Sequence, residues 1–374
     1  MKIHYIILLV VAVVAFSALA LAVSPKEKAR VIAHTDKEVS DALEKGCKQV
    51  REARTLKALE CDKDAASSLG LQEDIRVFSM DSAANKQIGA DIIQSSGNTG
   101  SGRKIVVLDT GYNYNHPELS SSYLGGKDFV NYDNDPADDN GHGTHVAGII
   151  TADGIDAKAK GVAPDAGIVS GKVLDASGGG YFSDVVAAIY WAVDGPDGVY
   201  GTADDFNADA ISLSLGTSKP YTYKRFCDNV LPDLTNAIKY ARDRSVIVVV
   251  AAGNSGSAGV SIPGCISYST TVGAVDGADK IAKFSGRGSA VDITAPGVGI
   301  YSSWLGNSYK TASGTSMATP MVSGVVALIK AAHPGYSVSQ VENALFTTAK
   351  DLGTAGKDST YGWGRVVASK AVAA

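Results

Sequence analysis

The sequence VIVVVAA at residues 246–252 decides the fold class of this chain. All seven residues are apolar, so a strand made from them presents no polar face to water. Such near-continuous apolar strands belong to parallel sheets that are covered on both faces. We therefore expect a sheet with a layer of helices on each side.

On both sides of this run, apolar strands alternate with amphipathic helices from Lys104 onward. The predicted strands lie at 105–108, 168–174, 210–215, 246–251 and 271–275. One predicted helix begins at His142, and the others lie at 183–193, 233–242, 316–332 and 338–348. The alternation predicts an α/β fold, a three-layer sandwich with a mostly parallel central sheet covered by helices on both faces. Functional sites are expected beyond the carboxyl ends of the strands.

The segment that precedes this pattern, residues 26–80, is charged and has a helix-prone centre. Four of its apolar residues recur at helical spacing: Val39, Leu43, Cys47 and Val50. Short extended stretches at 30–33 and 75–78 flank that centre. We predict a small α+β unit in the order strand, helix, strand, joined to the larger domain by the polar stretch at 94–102.

Composition and charge bound the functions that the chain can have. Of its 374 residues, 45% are hydrophobic and 20% are charged, a balance that allows a substantial core. The formal net charge is -5 and the sequence has no basic run, so it lacks the electrostatic footprint of a nucleic-acid-binding protein. We assign no nucleic-acid partner.

The N-terminus has the pattern of a signal peptide. Lys2 is followed by an apolar run from Tyr5 to Val23 that ends in Ala20-Leu21-Ala22, a small-x-small cleavage pattern. We predict that residues 1–22 are removed and that the protein is secreted. The alternative is a retained membrane anchor with the rest of the chain outside, because about 18 apolar residues are enough to span a bilayer. Contact with a membrane is expected only in that case.

The four cysteines fit an oxidising compartment. Cys47 and Cys61 lie in the N-terminal segment, whereas Cys227 and Cys265 lie in the large domain. We predict a bridge between Cys227 and Cys265. The alternative is a pair of buried free thiols.

Three residues at predicted strand and helix ends have the side chains that acyl transfer needs. Asp109 ends the strand IVVLD, where a buried carboxylate can orient a base. His142 lies at the start of a helix, and a histidine with a pKa near 6.5 accepts a serine proton near neutral pH. Ser316 precedes a long apolar helix, and its hydroxyl becomes a nucleophile when an adjacent base removes the proton. The alternative interpretation of Ser316, if Asp109 and His142 are left aside, is that it only caps the helix.

Two further polar residues lie beside these three. Asn254 ends the strand VVVAAGN, where its amide can donate to an oxygen that becomes negative during attack. Read alone, Asn254 is a turn residue before Ser255-Gly256. His145 follows His142 by three residues, and we interpret it as a packed structural histidine.

Four blocks carry the candidate residues in the chain order Asp, His, Asn, Ser: IVVLDTG, NGHGTHVAG, VVVAAGN and GTSMATP. Together they resemble the signature blocks of the subtilisin-like serine proteases, over about residues 87–374. The resemblance implies a catalytic triad of Asp109, His142 and Ser316, with Asn254 at the oxyanion. It also implies a secreted endopeptidase of broad specificity that cleaves protein or peptide substrates through an acyl-enzyme and needs no cofactor for catalysis.

The same resemblance implies how substrate is bound and how the enzyme is kept inactive. Ser214-Leu215-Gly216 matches the segment that pairs with an extended substrate as an added strand, and Ala251-Ala252-Gly253 matches a wall of the primary specificity pocket. Residues 23–80 resemble the family's inhibitory propeptide, which the peptidase domain at 81–374 is expected to cut off. We place this cut between Met80 and Asn85.

Two positions depart from the family's usual residues. Met321 stands where histidine is usual after GTSMATP, and Glu118 stands where aspartate is usual in the HPDL-like segment. We expect Met321 to pack in the core, with adjustment there and no loss of activity.

Two acidic loops predict structural calcium. Carboxylates that lie close together with carbonyls and glycine turns suit a cation that takes six to eight oxygens. The predicted ligands are Asp133, Asp135, Asp138 and Asp139 in the first loop and Asp194, Asp197, Asp204 and Asp205 in the second. Similar aspartate-rich loops bind calcium in several members of the resembled family. The alternative is that both are solvated acidic loops.

Two other functions use the same residues. A non-enzymatic binding protein would keep the fold without catalysis, but all four catalytic positions are filled. A peptide ligase would pass the same acyl-enzyme to an amine instead of water. We expect a monomeric hydrolase.

Overall fold

A computed structural model describes the protein over residues 28–74, 76–79 and 86–374. The predicted signal peptide at 1–22 and the predicted cut between Met80 and Asn85 lie outside the described residues.

The N-terminal unit, residues 28–79, is built around a four-stranded sheet. Its elements are β1 Lys28–Ala33, α1 Asp36–Glu44, β2 Lys48–Ala53, β3 Leu56–Asp62, α2 Lys63–Leu69, β4 Gln72–Glu73 and β5 Arg76–Ser79. The sheet has the order β2-β3-β1-β4, and β5 lies apart from it.

The larger domain begins with α3 Ala90–Ser95 and β6 Lys104–Asp109. Its first half continues with β7 Tyr123–Asp128, α4 His142–Thr151, β8 Gly167–Lys172, β9 Gly179–Tyr181, α5 Phe182–Asp194, β10 Ala210–Leu213, β11 Leu215–Gly216 and β12 Thr222–Tyr223. Its second half comprises α6 Pro232–Asp243, β13 Ile247–Ala251, β14 Val260–Ser261, β15 Thr270–Val275, β16 Ile293–Pro296, β17 Val298–Ser303, β18 Tyr309–Ser313, α7 Thr315–Ala332, α8 Val338–Thr347 and α9 Ala368–Ala371.

Seven strands form the central sheet in the order β16-β15-β13-β10-β6-β8-β7, and every neighbouring pair runs parallel. Strand β13 shows why its apolar sequence predicts this architecture. Ile247 and Val249 face a core shared with α4 and α7, whereas Val248 and Val250 face a second core shared with α5 and α6. The three-layer α/β sandwich predicted from the sequence is confirmed.

Helix α7 lies in the middle of one helical layer. Among the described residues it is the helix long and apolar enough to cross a membrane, but nearly all of it is buried inside the protein. Met321 is fully buried there, as expected from the sequence.

The N-terminal unit has more strands and a shorter first helix than the sequence pattern predicts. Helix α1 ends at Glu44, and Gly46 follows in the left-handed conformation, with φ of 81°, that terminates helices. The helical spacing of Cys47 and Val50 is therefore coincidental, since Val50 belongs to β2. The short helix α2 and the antiparallel pair of β2 and β3 were not predicted.

Both pairs of cysteines form disulfides. The predicted bridge between Cys227 and Cys265 is present. A second bridge joins Cys47, after α1, to Cys61 in β3. Each bridge lies within one part of the chain, so neither ties the N-terminal unit to the larger domain.

Glu118 is a fully buried carboxylate that holds the loop after α4. Oε2 accepts from the backbone N–H groups of Gly154 and Ile155 at 2.6 and 3.0 Å. Oε1 accepts from the N–H of Asp156 at 2.6 Å and from the Tyr309 hydroxyl, in β18, at 2.8 Å. Four donors surround two acceptor oxygens, so an ionised carboxylate matches this site.

We expect Glu118→Gln to lower the free energy of unfolding by about 2 kcal/mol, because the new amide NH2 would face donors and leave some of them unsatisfied. Urea unfolding followed by tryptophan fluorescence in a Ser316→Ala background would measure this. Glu44→Gln, at an exposed position, is the matched control. Equal unfolding midpoints for the two variants would contradict this role of Glu118.

Candidate active site

Asp109 is the last residue of β6, a strand that lies between β10 and β8 in the sheet. It is fully buried, and its Oδ1 accepts from the backbone N–H of Thr110 at 2.7 Å. The same oxygen lies 2.6 Å from Nδ1 of His142. The end of β6 therefore places a carboxylate against an imidazole.

His142 is the first residue of α4 and is fully buried. Gly141 before it has a φ of 102°, and a Cβ there would lie 2.5 Å from the ring of Trp304. A glycine is therefore needed for the chain to enter this helix. A neutral imidazole that donates from Nδ1 to Asp109 carries its lone pair on Nε2, which makes Nε2 the basic nitrogen.

Ser316 is the second residue of α7, the helix that packs beside α4. Its Oγ donates to the carbonyl oxygen of Ser214 at 3.0 Å, and the Ser214 hydroxyl donates to the carbonyl of Ser316 at 2.6 Å. This reciprocal pair fixes the start of α7 against the segment between β10 and β11. A serine at a helix N-terminus lies in a region of positive potential.

Asn254 follows β13, and its side-chain amide is oriented by Thr315. Its Oδ1 accepts from the backbone N–H of Thr315 at 3.0 Å and from the Thr315 hydroxyl at 3.2 Å. Because Thr315 holds the amide oxygen, the N–H donors of the same amide point away from Thr315 and stay available to another acceptor, which an oxyanion donor requires. The sequence-based prediction did not include Thr315 as a site residue, although its position directly before Ser316 in GTSMATP indicates that it lies at the site.

His145 is buried in the first turn of α4. Its Nε2 lies 3.0 Å from the carbonyl oxygen of Lys310, and its ring packs edge-on against Trp304. Burial lowers the pKa of His145 to about 3. The neutral ring donates from Nε2 to Lys310, which agrees with its interpretation as a structural histidine.

The predicted substrate segment, Ser214-Leu215-Gly216, pairs with a strand of the chain's own N-terminal unit. Strand β5 lies between β11 and β9 and is antiparallel to both. Ser79 pairs with Leu215, and Phe78 pairs with both Gly216 and Gly179. An extended segment in the groove between β9 and β11 therefore pairs with a strand on each side.

The predicted pocket wall, Ala251-Ala252-Gly253, is buried. The carbonyl of Ala252 accepts from the N–H of Ser261, and a Cβ at Gly253 would lie 2.1 Å from Oγ of Ser261. The wall is thus backed tightly by β14, and a glycine is required at residue 253.

The aspartates of the two acidic loops bind groups of the protein itself. In the first loop, Asp138 accepts from neighbouring backbone and threonine donors and Asp139 pairs with Lys172. In the second, Asp194 accepts from Tyr240, and Asp204 accepts from the N–H of Asp197 and the Thr202 hydroxyl. Among the residues that the structure describes, no three His, Cys, Asp or Glu side chains are grouped to hold a metal ion. A cation at either loop would have to compete with these protein donors.

Comparison with known proteins gives a consistent set of similarities. Residues 100–364 match the model of the subtilase family. The chain is 40% identical to the thermophilic serine proteinase of Bacillus sp. (strain AK1), over 70% of this chain and 60% of that protein. It is 39% identical to subtilisin Savinase of Lederbergia lenta, over 76% of this chain and 96% of that protein. It is 39% identical to thermitase of Thermoactinomyces vulgaris, over 73% of this chain and 89% of that protein.

The depressed pKa of His145 predicts a pH dependence of stability. In the unfolded chain His145 has a pKa near 6.5, so it binds a proton below that pH, whereas the buried ring of the folded state stays neutral down to about pH 3. Stability is therefore lost as pH falls from about 6.5 towards about 3. His145→Gln keeps a donor for Lys310 and removes the titration. We expect its unfolding free energy to fall less steeply over this range, by up to about 1.4 kcal/mol per pH unit. Urea titrations in a Ser316→Ala background would measure it, and parallel pH curves would contradict it.

Proposed function

The chain belongs to the subtilase family, and from that premise we propose that it is a serine endopeptidase that hydrolyses peptide bonds in proteins through an acyl-enzyme. The observation that carries the proposal is the buried contact of 2.6 Å between Asp109 and His142. The helix that begins at His142 packs against the helix whose second residue is Ser316, a combination suited to nucleophilic catalysis.

In the proposed mechanism, Ser316 attacks the scissile carbonyl carbon while Nε2 of His142 accepts its proton. Asp109 holds the imidazole in the tautomer with its lone pair on Nε2 and stabilises the imidazolium that forms. The negative oxygen receives hydrogen bonds from the amide of Asn254 and the backbone N–H of Ser316. His142 then donates its proton to the leaving amine, and water repeats the sequence on the acyl-enzyme.

We propose broad specificity because the substrate would bind mainly through its backbone. The antiparallel pairing of β5 with β9 and β11 supports this, since backbone hydrogen bonds of that kind accept any side chain. The pocket beside Ala251-Ala252-Gly253 would then select among side chains.

We further propose that residues 1–22 are a signal peptide, 23–80 an inhibitory propeptide and 81–374 the secreted, monomeric peptidase. The position of β5 supports inhibition, because a strand that already fills the groove between β9 and β11 blocks a substrate strand there. The two disulfides and the apolar N-terminal segment support export. Retention of that segment as a membrane anchor is the alternative location.

A buried ionic network holds the N-terminal unit against α5 and supports its role as an inhibitor. Arg30 lies 2.8 Å from Asp74 and 3.4 Å from Asp184, and Arg51 lies 2.8 Å from Asp184. Asp74 also accepts from the N–H and the hydroxyl of Ser183 at the start of α5. Burial raises the pKa of Asp74 to about 6, against the opposing attraction of Arg30.

Subtilases are generally calcium-binding, but calcium at the eight aspartates of the two acidic loops stays a prediction from the sequence. The described geometry does not favour it, since those carboxylates that bind protein donors would have to rearrange. No step of the mechanism depends on a metal ion.

We expect Ser316→Ala to abolish hydrolysis of casein and to leave the precursor uncut. The loss should be of the size found when the triad serine of a family member is removed, on the order of 10⁶-fold in kcat. Ser323→Ala is the matched control, because Ser323 is a buried serine two turns further along the same helix. Gel electrophoresis and N-terminal sequencing would follow the cut, and a mature-sized product from Ser316→Ala would contradict self-processing.

We expect Arg51→Met to weaken inhibition by the N-terminal unit at least about 30-fold, because Asp184 would lose a partner in a buried charge network. The change lies in the part that is removed, so the mature enzyme is identical to the wild type. Lys57→Met is the control, since Lys57 pairs with Asp36 within the same unit. The lag before peptidase activity appears after processing would report the effect, and equal lags for Arg51→Met and the wild type would contradict it.

A further inference from the structure

Asp138, in the loop before α4, is the acceptor for five hydrogen bonds. Its Oδ1 accepts from the Thr110 hydroxyl at 2.8 Å and from the N–H groups of Asn140 and Gly141 at 3.0 and 2.9 Å. Its Oδ2 accepts from the N–H and the hydroxyl of Thr144 at 2.9 and 2.5 Å. One carboxylate therefore contacts two separate segments of the chain.

Those two segments carry the catalytic pair. Thr110 directly follows Asp109 at the end of β6, whereas Thr144 lies in the first turn of α4, which begins at His142. The Thr110 hydroxyl also accepts from the N–H of Gly143 at 2.8 Å. Asp138 and Thr110 thus form a continuous hydrogen-bonded connection between the strand end and the helix start.

Helix α4 depends on acceptors from outside its own cap position, because that position has no side chain. The N-cap residue is Gly141, so no side chain at that position can accept from the free N–H groups of the first turn. Asn140 accepts from the N–H of His142 at 3.2 Å and Thr110 accepts from that of Gly143. Asp138, three residues before the cap, accepts from the N–H of Thr144. Its negative charge also lies at the positive end of the helix.

The backbones around Asp138 are in direct contact and leave little room for adjustment. A Cβ at Gly111 would lie 2.5 Å from the carbonyl oxygen of Pro136 and 2.9 Å from Cα of Asp138. A Cβ at Gly143 would lie 2.2 Å from the carbonyl oxygen of Gly111. With the backbones this close, a small displacement of the loop is passed directly to α4.

We propose that Asp138 is a positioning residue that sets the distance between Asp109 and His142 by fixing the end of β6 against the start of α4. This inference rests on the proposed function, since the pair that it positions is the catalytic one. It gives Asp138 a role different from the calcium ligand predicted by the sequence, and the two roles respond differently to a chelator.

The test is Asp138→Asn, which keeps the size of the side chain but replaces an acceptor oxygen by a donor. Because small displacements at a catalytic site cost up to about 100-fold in rate, we expect kcat for a peptide substrate to fall about 10- to 100-fold. KM should stay within about twofold, since substrate-binding groups are untouched. A chelator added to the wild type should not reproduce the loss.

Asp358→Asn is the matched control. Asp358 is also half-buried and accepts from three backbone N–H groups, of Thr354, Thr360 and Tyr361, in a loop remote from the site. We expect it to lower Tm without changing kcat at temperatures well below Tm.

Thr110→Val should lower kcat as Asp138→Asn does. The double variant should lose little more kcat than either single variant, because both substitutions break the same connection between the end of β6 and the start of α4.

A second readout does not depend on turnover. In a Ser316→Ala background, the low-field proton resonance of His142 Nδ1 reports the hydrogen bond to Asp109, and we expect it to shift or broaden in Asp138→Asn but not in Asp358→Asn. A wild-type kcat with an unchanged resonance in Asp138→Asn would overturn the inference. So would a chelated wild type that loses as much kcat as Asp138→Asn together with a chelated Asp138→Asn that loses no more. Absence of hydrolysis in the wild type would refute the proposed function, while the resonance would still test the role of Asp138.

Discussion

A parallel sheet buried on both faces is the constraint on which the rest of this structure depends. The side chains of β13 fill two cores, so neither face of the sheet has room for a polar site. Chemistry is confined to the edge where the strands end and the helices begin. Asp109 ends β6, Asn254 follows β13, and His142 and Ser316 lie in the first turns of helices that pack side by side. The packing of the core therefore brings distant parts of the chain to one edge.

Close approaches at glycine residues contribute to the precision of the site. Gly141, Gly143 and Gly253 each lie where an added Cβ would overlap a neighbouring atom. Polar side chains then fix the orientation of the groups proposed for catalysis. Thr315 holds the amide of Asn254, and Asp138 with Thr110 connects the end of β6 to the start of α4. Such an arrangement is pre-organised, because little of it has to move when charge develops during a reaction.

The N-terminal unit contacts the larger domain in two chemically different ways. Strand β5 pairs with β9 and β11 through the backbone, which requires no particular sequence. The network of Arg30, Arg51, Asp74 and Asp184 adds buried charge interactions that depend on the identity of each residue. The backbone pairing would therefore allow any extended peptide to lie in the groove. The charge network would favour the N-terminal unit over other peptides.

The sequence alone determined the fold class and most element positions and indicated the residues proposed for catalysis, because hydrophobic periodicity and short motifs are local properties of the chain. The sequence also predicted the Cys227–Cys265 bridge, but two free thiols stayed an open alternative until the structure placed these cysteines together. It did not determine the strands β2 and β3 or the second disulfide, and it did not distinguish a calcium ligand from a positioning residue at Asp138. Those outcomes depend on pairing between distant segments. An aspartate in an acidic loop has the same local sequence whether its oxygens bind a cation or Thr110 and Thr144, and only the tertiary structure decides which donors reach it.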